Sequence, residues 1–374
     1  MSNFVGFDVI PGFGTFNFIT GDNGTGKTRF LTMLANNTLK ELLNGKSSFN
    51  KLICLTSTVY EKFPRPLKKH SNDNEFYDSV YSYFGGRVNN NIFSDISPFR
   101  TIVKCYSGRT TTNVAYSLAE KLMSDLGFSS SVQCLFRDEN SKNETYKNNL
   151  KNKYTKELMI DFSKPAEYVL SSERFAIKNS ELFLLDMKFF RFSDSGYYGI
   201  RDLSSGERNF MITILSLIFS LQNNSLVLFD EPENSMHPKW QEKITSVIKL
   251  IVNELSPEST VVIATHSPLV VSSVSNERVY LMNLPGDRGW VRSNYSGNNS
   301  DTVLKEQFGL LSSRSLGFVM KFQECLKLYS QGENNLFIEE MDKLFKSEII
   351  LSENDPLYEA YNTMQDLYLE LKQQ

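Results

Sequence analysis

Eight consecutive residues, Gly21-Asp22-Asn23-Gly24-Thr25-Gly26-Lys27-Thr28, fit the pattern G-x-x-x-x-G-K-[ST] and stand between two runs of different period. Before them, Thr15 to Thr20 alternates large and polar residues as a strand does. After them, Phe30, Leu31, Leu34, Leu39 and Leu42 recur at helical spacing. Strand, loop and helix are the parts of a phosphate-binding loop, in the required order. Glycines let successive N–H groups turn inward on phosphate oxygens, and the helix N-terminus beyond them favours an anion. Asn23, Gly24, Thr25, Gly26, Lys27 and Thr28 are therefore the candidate nucleotide contacts. Lys27 is placed to reach the β- and γ-phosphates, and Thr28 to offer its hydroxyl to Mg2+.

The 374 residues suffice for a substantial core, in two domains or one elaborated domain. A hydrophobic content of 40% with 22% charged residues reads as a soluble globular chain. The net charge of −3 gives no overall field for nucleic acid, so direct DNA or RNA contact is left open only through a local patch or a partner. Cys54, Cys105, Cys134 and Cys325 are far apart with no C-x-x-C pair. That argues against zinc and disulfides and for a reducing, cytoplasmic setting. No apolar run reaches membrane-spanning length, and the first residues lack a signal-peptide pattern, so neither membrane insertion nor secretion is expected.

Along the chain, Phe4 to Ile10 reads as a short strand, and Phe13 and Phe16 lie where an aromatic ring could stack on a base or simply pack. Lys51 to Thr58 reads as a buried strand, stopped by Pro64 and Pro66. From about 65 to 185 the pattern weakens. Tyr77 to Phe84 is aromatic-rich, and Asn113 to Leu126 has helical spacing with Gly127 as C-cap. Arg137 to Lys156 is rich in Lys and Asn, and fits either a solvated face or a contact patch for nucleic acid or a partner.

A second informative segment begins near Leu182. Leu203-Ser204-Ser205-Gly206-Glu207 precedes a helix with Phe210, Ile214, Leu217, Ile218 and Leu221 on its apolar face. About twenty residues on, Leu226 to Phe229 is a continuous apolar run ending in Asp230-Glu231-Pro232. A parallel strand buried on both faces reads this way, and its C-terminal end is where such sheets place ligand chemistry. Asp230 is the candidate to hold Mg2+ with Thr28, and Glu231 to orient or deprotonate the attacking water. Pro238 suits the first turn of the helix through Trp240 and Ile251. Thr260 to Thr265 is another buried strand, ending at His266-Ser267-Pro268. His266 would point into the crevice of Glu231 and donate to the γ-phosphate or the water. His237 reads as shaping its turn or touching a partner rather than as a chemical group, and His70 has no informative context.

Taken together, the phosphate loop, L-S-S-G-E, the apolar run ending D-E-P, and T-H-S, in that order, resemble the ABC-type ATPase superfamily. The resemblance covers roughly residues 1–60 and 185–285. It implies an α/β fold: a P-loop ABC-type ATPase core with a mostly parallel sheet, an inserted α-rich lobe and a C-terminal helical segment. The implied domains are 1–60 and 185–300 for the core, 61–184 for a helical and irregular lobe, and 301–374 for the tail. It also implies ATP and Mg2+ as cofactors. Ser204 and Gly206 would bind the γ-phosphate of ATP held by a second copy, so that a homodimer sandwiches two ATP molecules. The glutamine that usually couples ATP to the partner domain is not identifiable.

Within the superfamily, Asp230-Glu231-Pro232-Glu233 followed by Met236-His237-Pro238 is similar to the stand-alone ATPases of the OLD and SMC/RecF group. Thr56 to Pro64, with Tyr83-Phe84-Gly85-Gly86, is similar to Septu-type and retron-associated ATPases of bacterial anti-phage defence. The chain lacks the acidic nuclease array of OLD proteins and the coiled coil of the SMC-like repair ATPases. The expectation is therefore a slow, regulatory ATPase controlling a separate nuclease or toxin effector, with a reverse transcriptase and a structured RNA among the implied partners. A RecF-type repair ATPase and a transporter's ATP-binding subunit are the alternatives. In the tail, Leu304, Phe308, Leu311, Phe318, Phe322, Leu326, Leu336, Ile338, Met341, Leu344 and Phe345 repeat near helical period, for packing on the ATPase or docking another subunit.

Overall fold

A computed structural model of the protein describes residues 12–58, 60–65, 74–88, 92–108, 112–138, 155–272, 278–286, 289–292, 316–345 and 358–372. Outside them lie the expected strand Phe4 to Ile10, His70, the tail positions Leu304, Phe308 and Leu311, and Lys142, Lys147, Lys151 and Lys153 of the basic stretch.

The phosphate loop follows β1 (Phe16–Thr20), an interior strand of a seven-stranded sheet. The strands of this sheet are β1, β2 (Lys51–Thr56), β3 (Tyr81–Phe84), β8 (Ser225–Asp230), β9 (Thr260–Ala264), β10 (Val279–Asn283) and β11 (Val291–Arg292), in the order β11-β10-β1-β9-β8-β2-β3. All pairs are parallel except β10 with β11. Parallel strands need covering on both faces, which is why β8 and β9 read as unbroken apolar runs. On one face Leu52, Cys54, Leu226, Leu228, Val262 and Ala264 meet Phe30, Leu31, Leu34 and Ala35 of α1 (Lys27–Leu43). Ile53, Leu55, Val227, Phe229, Val261 and Ile263, alternating with them, are equally buried. Phe16 belongs to this core, whereas Phe13 is 49% exposed and meets Phe49 edge-on.

The intervening region does contain helices: α2 (Asn74–Val80), α3 (Ser97–Gly108), α4 (Asn113–Asp125) and α5 (Ser171–Lys178). The expectation of a helical and irregular lobe over 61–184 is corrected in two respects. Tyr81–Phe84 joins the nucleotide sheet as its edge strand. A second, antiparallel sheet is built from β4 (Phe128–Asp138), β5 (Thr155–Asp161), β6 (Leu182–Arg191) and β7 (Gly196–Gly199), in the order β5-β4-β6-β7. Residues 185–199, assigned by sequence to the core, thus belong to this second sheet. The reason is that β4 buries one face only. Val132, Cys134 and Phe136 are buried, while Ser129, Ser131 and Gln133 at the alternate positions are half-buried and give the strand the polarity of a loop. Helix α3 packs Phe99 against Phe189 of β6 and Tyr106 against Phe162 and Phe219. Phe219 lies on α6 (Ser205–Ser220), and α7 (Pro238–Leu255) and the short α8 (Pro268–Ser272) complete this part.

Residues 299–374 form a separate compact unit. Its helices Leu316–Ser330, Asn334–Phe345 and Tyr358–Lys372 share a small core of Phe322, Cys325, Phe337, Met341, Leu344, Tyr361, Met364 and Tyr368. Leu326 and Leu336, expected at the helical apolar positions, are exposed. No helix among the described residues is long and apolar enough to cross a membrane.

Gly21, which leaves β1, has φ of 136°, and a Cβ there would lie 2.2 Å from the carbonyl oxygen of Leu284, just after β10. Gly21→Ala is therefore expected to cost at least about 2 kcal/mol of stability in denaturant titrations. Unchanged stability would show that the loop and β10 do not approach this closely.

Candidate active site

Register across the sheet brings the chemistry to one line. Met282, Ile19, Ala264, Asp230 and Thr56 are successive partners across β10, β1, β9, β8 and β2. The residues just beyond this row, Thr265, Glu231 and Ser57, emerge at the C-terminal end of the strands, as Gly21 does two positions past Ile19. The N–H of Glu231 extends the ladder to the Ala264 carbonyl at 2.9 Å, and that of Ser57 reaches the Asp230 carbonyl at 3.2 Å. Glu231 then takes φ of 53°, a left-handed conformation uncommon for a non-glycine residue, which turns the chain sharply after β8.

The loop is built on glycine conformations. Gly24 and Gly26 have φ of 84° and 103°, and Gly26 is the N-cap of α1. Lys27 is buried, and its ammonium donates to the carbonyls of Gly21 at 2.7 Å and Asp22 at 3.1 Å, with Glu231 Oε1 3.5 Å away. Asn23 and Gly24 are exposed at the tip, and the Thr25 hydroxyl donates to the Asp22 carbonyl at 2.8 Å. The Thr28 hydroxyl lies 3.0 Å from both carboxylate oxygens of Asp230. On the far side His266 Nδ1 hydrogen-bonds to Glu231 Oε2. Lys27, Thr28, Asp230, Glu231 and His266 are thus brought together.

Ser204 and Gly206 are placed elsewhere. Ser204 caps α6 in a reciprocal box: its hydroxyl accepts the N–H of Glu207 at 3.2 Å, and its own N–H donates to Glu207 Oε2 at 2.9 Å. Glu207 is also paired with Arg191 of β6 at 2.7 Å. A Cβ on Gly206 would lie 3.2 Å from the Trp240 ring. Among the described residues no hydrogen bond or ion pair joins Ser204 or Gly206 to residues 21–28. His237 is the N-cap of α7, its Nδ1 accepting the Lys239 N–H at 3.3 Å, with Pro238 in the first turn.

A phosphate loop and a strand-end acid pair on one mostly parallel sheet, with a capping signature turn before α6, are the parts of a P-loop ABC-type ATPase core. Residues 16–272, well over half of the chain, match the family described as "AAA domain, putative AbiEii toxin, Type IV TA system". The chain belongs to this AAA domain family. The match runs from β1 to α8 and so includes all four motifs, the whole antiparallel sheet and the seven-stranded sheet except β10 and β11. The "Septu protein PtuA" of Bacillus thuringiensis is 28% identical over 144 residues, which is 35% of this chain and 33% of that one. The "Retron Vc95 probable ATPase" of Vibrio cholerae serotype O1 biovar El Tor is 28% identical over 151 residues, 37% of this chain and 28% of that one. The chain thus matches about a third of the length of these curated relatives. Among solved structures, an SMC head bound to the C-terminal winged-helix domain of ScpA is similar at 12% identity and a TM-score of 0.35, covering 75% of this chain and 90% of that one.

In this AAA domain one participant, Glu233, takes no role from the sequence motifs and is named there only within Asp230-Glu231-Pro232-Glu233. It is 3% exposed, and its Oε1 accepts from the Thr265 hydroxyl at 2.5 Å and from the N–H groups of His266 at 2.8 Å and Ser267 at 3.2 Å. His266 Nδ1 is 3.1 Å from the same oxygen. The only signal in the sequence is a second acid following the proline after Glu231, a position with no helical or strand periodicity to interpret it.

The four ionisable groups are pushed in different directions. Burial raises Asp230 to about 7, against the stabilising hydroxyl of Thr28. Burial, reinforced by the charge of Glu231, raises Glu233 to about 7. Burial also opposes ionisation of Glu231, but the hydrogen bond from His266, and then the charges of His266 and Lys27, hold it below the usual range. The hydrogen bond to Glu231 raises His266. Thr28 and Asp230 present hard oxygen donors side by side on a poorly solvated carboxylate, which suits Mg2+.

Asp230, Glu233 and His266 bind protons more tightly in the folded protein than in the unfolded chain. For the two acids, that stability is complete below about pH 4 and is lost as the pH rises through about 7. In Mg2+-free buffer without nucleotide, the melting temperature is expected to fall by several degrees between pH 5 and pH 8. Asp230→Asn should flatten that slope, and a variant with the parent's slope would remove Asp230 from the proton linkage.

Proposed function

We propose that the chain hydrolyses ATP at this site, closes on a second copy of itself around two nucleotides, and through that closure controls a separate effector in bacterial anti-phage defence. The observation that carries the hydrolytic reading is the meeting of Lys27, Thr28, Asp230, Glu231 and His266 at one sheet edge. Inward-facing loop amides and Lys27 would neutralise the triphosphate. Asn23 to Gly26 would line it. Thr28 and Asp230 would hold Mg2+, which supplies charge neutralisation across the phosphates when bound. Glu231, kept ionised by its neighbours, would accept the proton of water as its oxygen bonds to the γ-phosphorus and the bond to the bridging oxygen breaks, giving ADP and phosphate. His266 would orient Glu231 and donate to the γ-phosphate oxygens.

Dimerisation is supported by the separation of the signature turn from the loop of its own chain. Ser204 and Ser205 are exposed at the N-terminus of α6, a place that favours an anion. A second chain's nucleotide would satisfy it. The defence role draws on the Septu and retron relatives. The effector would be a nuclease or toxin supplied by another chain, with a reverse transcriptase and RNA in a retron-like setting.

Glu231→Gln is expected to lower kcat at least about 100-fold while leaving ATP affinity within about threefold, and Lys27→Ala to weaken affinity more than about tenfold. Steady-state phosphate release with equilibrium nucleotide titration reads both. A Glu231→Gln protein with parental turnover would remove the proposed base. In sedimentation experiments, Glu231→Gln with ATP and Mg2+ should run as a dimer that Ser204→Arg abolishes; a monomer at every concentration would end the sandwich reading. Mass spectrometry of proteins and RNA retained by the ATP-locked variant, expressed with its neighbouring genes, tests the effector. Chromosomal DNA with no second protein would favour a repair ATPase.

A further inference from the structure

The geometry points to Glu233 as a positioning residue for hydrolysis: it fixes the Thr265-His266-Ser267 turn so that the His266 ring lies against Glu231. This rests on the reading of Glu231 as the base and His266 as its partner, and extends it to a buried residue that acts through His266.

Three donors from three consecutive residues converge on one oxygen of Glu233, at 2.5, 2.8 and 3.2 Å. The turn after β9 is also tied by the Thr265 N–H to the Ile19 carbonyl at 3.0 Å and by the Ser267 N–H to the Thr265 hydroxyl at 2.9 Å. The Ser267 hydroxyl donates to Gln241 Oε1 at 2.8 Å, which ties the turn to α7 but leaves the backbone at His266 to Glu233. Glu233 in turn is held in place by the strand-end geometry. The φ of 53° at Glu231 reverses the chain after β8, and the Asn234 N–H closes on the Glu231 carbonyl at 3.2 Å. One tight turn therefore carries both the base and the clamp for the base's partner. A shift of either would be felt by both.

The second oxygen of Glu233 is buried without a hydrogen-bond partner. What Oε1 accomplishes is orientation. The His266 N–H and ring Nδ1 lie 2.8 and 3.1 Å from it, and the same Nδ1 meets Glu231.

The test compares Glu233→Ala, Glu233→Gln and His266→Ala with the double variant Glu233→Ala/His266→Ala in the full chain. ATP affinity, kcat and melting temperature are measured on each. Glu233→Ala is expected to lower kcat about 30-fold with ATP affinity within threefold. Glu233→Gln keeps an acceptor at Oε1 and should retain kcat within about threefold. Because Glu233 acts through His266, adding Glu233→Ala to His266→Ala should cost less than a further threefold. Multiplying losses, or a Glu233→Ala protein that binds ATP more than tenfold more weakly, would overturn the inference. Should Glu233→Ala fail to fold, a folded Glu233→Gln that has lost tenfold or more in kcat overturns it equally. These results are distinguishable from failure of the underlying reading, which would show as normal turnover in Glu231→Gln.

Discussion

Three carboxylates, Asp230, Glu231 and Glu233, converge within a four-residue span at the end of one buried strand, and the rest of the site is arranged to tolerate them. Burying an unpaired carboxylate costs several kcal/mol, so each must find a counter-charge, a set of donors or a proton. The structure uses all three. Glu231 has Lys27 and His266 beside it. Glu233 has three donors on one oxygen. Among the described residues Asp230 has the Thr28 hydroxyl as its hydrogen-bond partner, and burial raises it to about 7. The least compensated acid is thus the one beside the residue that ends the phosphate loop, where a divalent cation would relieve it.

That convergence depends on register more than on any single contact. Asp230 is opposite Ala264 on one side and Thr56 on the other, and Ala264 is opposite Ile19. A slip of one residue in β8 would turn Asp230 to the other face and exchange Leu226 and Leu228 with Val227 and Phe229. Both sets are buried, so alternation of polarity cannot fix this register. Shape has to, through helices packed on either face. The core fixes the position of the site because the strands carrying it have no solvent face to spare.

This explains which parts could be read from the residues alone. β1, β8 and β9 are short, apolar and terminated by polar motifs, and α7 begins with Pro238, so their places follow from local sequence. The second sheet does not announce itself in the same way. β4 spends its outward positions on Ser129, Ser131 and Gln133, and its pairing with β6 shifts register between Leu135 and Phe136. Neither the polarity nor the irregularity has a strand-like period. β6 has the opposite problem: Leu182-Phe183-Leu184-Leu185 resembles a core strand, yet it pairs antiparallel with β4 instead of joining the seven-stranded sheet. Periodicity identifies a strand without naming its neighbour. Glu233 was visible as an acid, but its convergence with residues 265–267 is a contact across more than thirty positions that only folding creates.

The signature turn adds the last constraint. Ser204 is held by Glu207, and Glu207 by Arg191, whose guanidinium also lies over the rings of Phe128 and Tyr198 at 5.0 and 4.5 Å. Those rings belong to β4 and β7, so the turn at the start of α6 is anchored from the second sheet. Helix α6 meanwhile packs Phe210 against Trp240 of α7, the helix that follows the acid strand. One end of the route is therefore an ion pair of about a quarter-exposed Arg191 with Glu207, and the other is aromatic packing in the core. Electrostatic links of that exposure yield more readily than packed cores do. Any displacement of Ser204 would first strain the Arg191 pair, and would reach the second sheet before it disturbed the strands that hold Asp230 and Glu231.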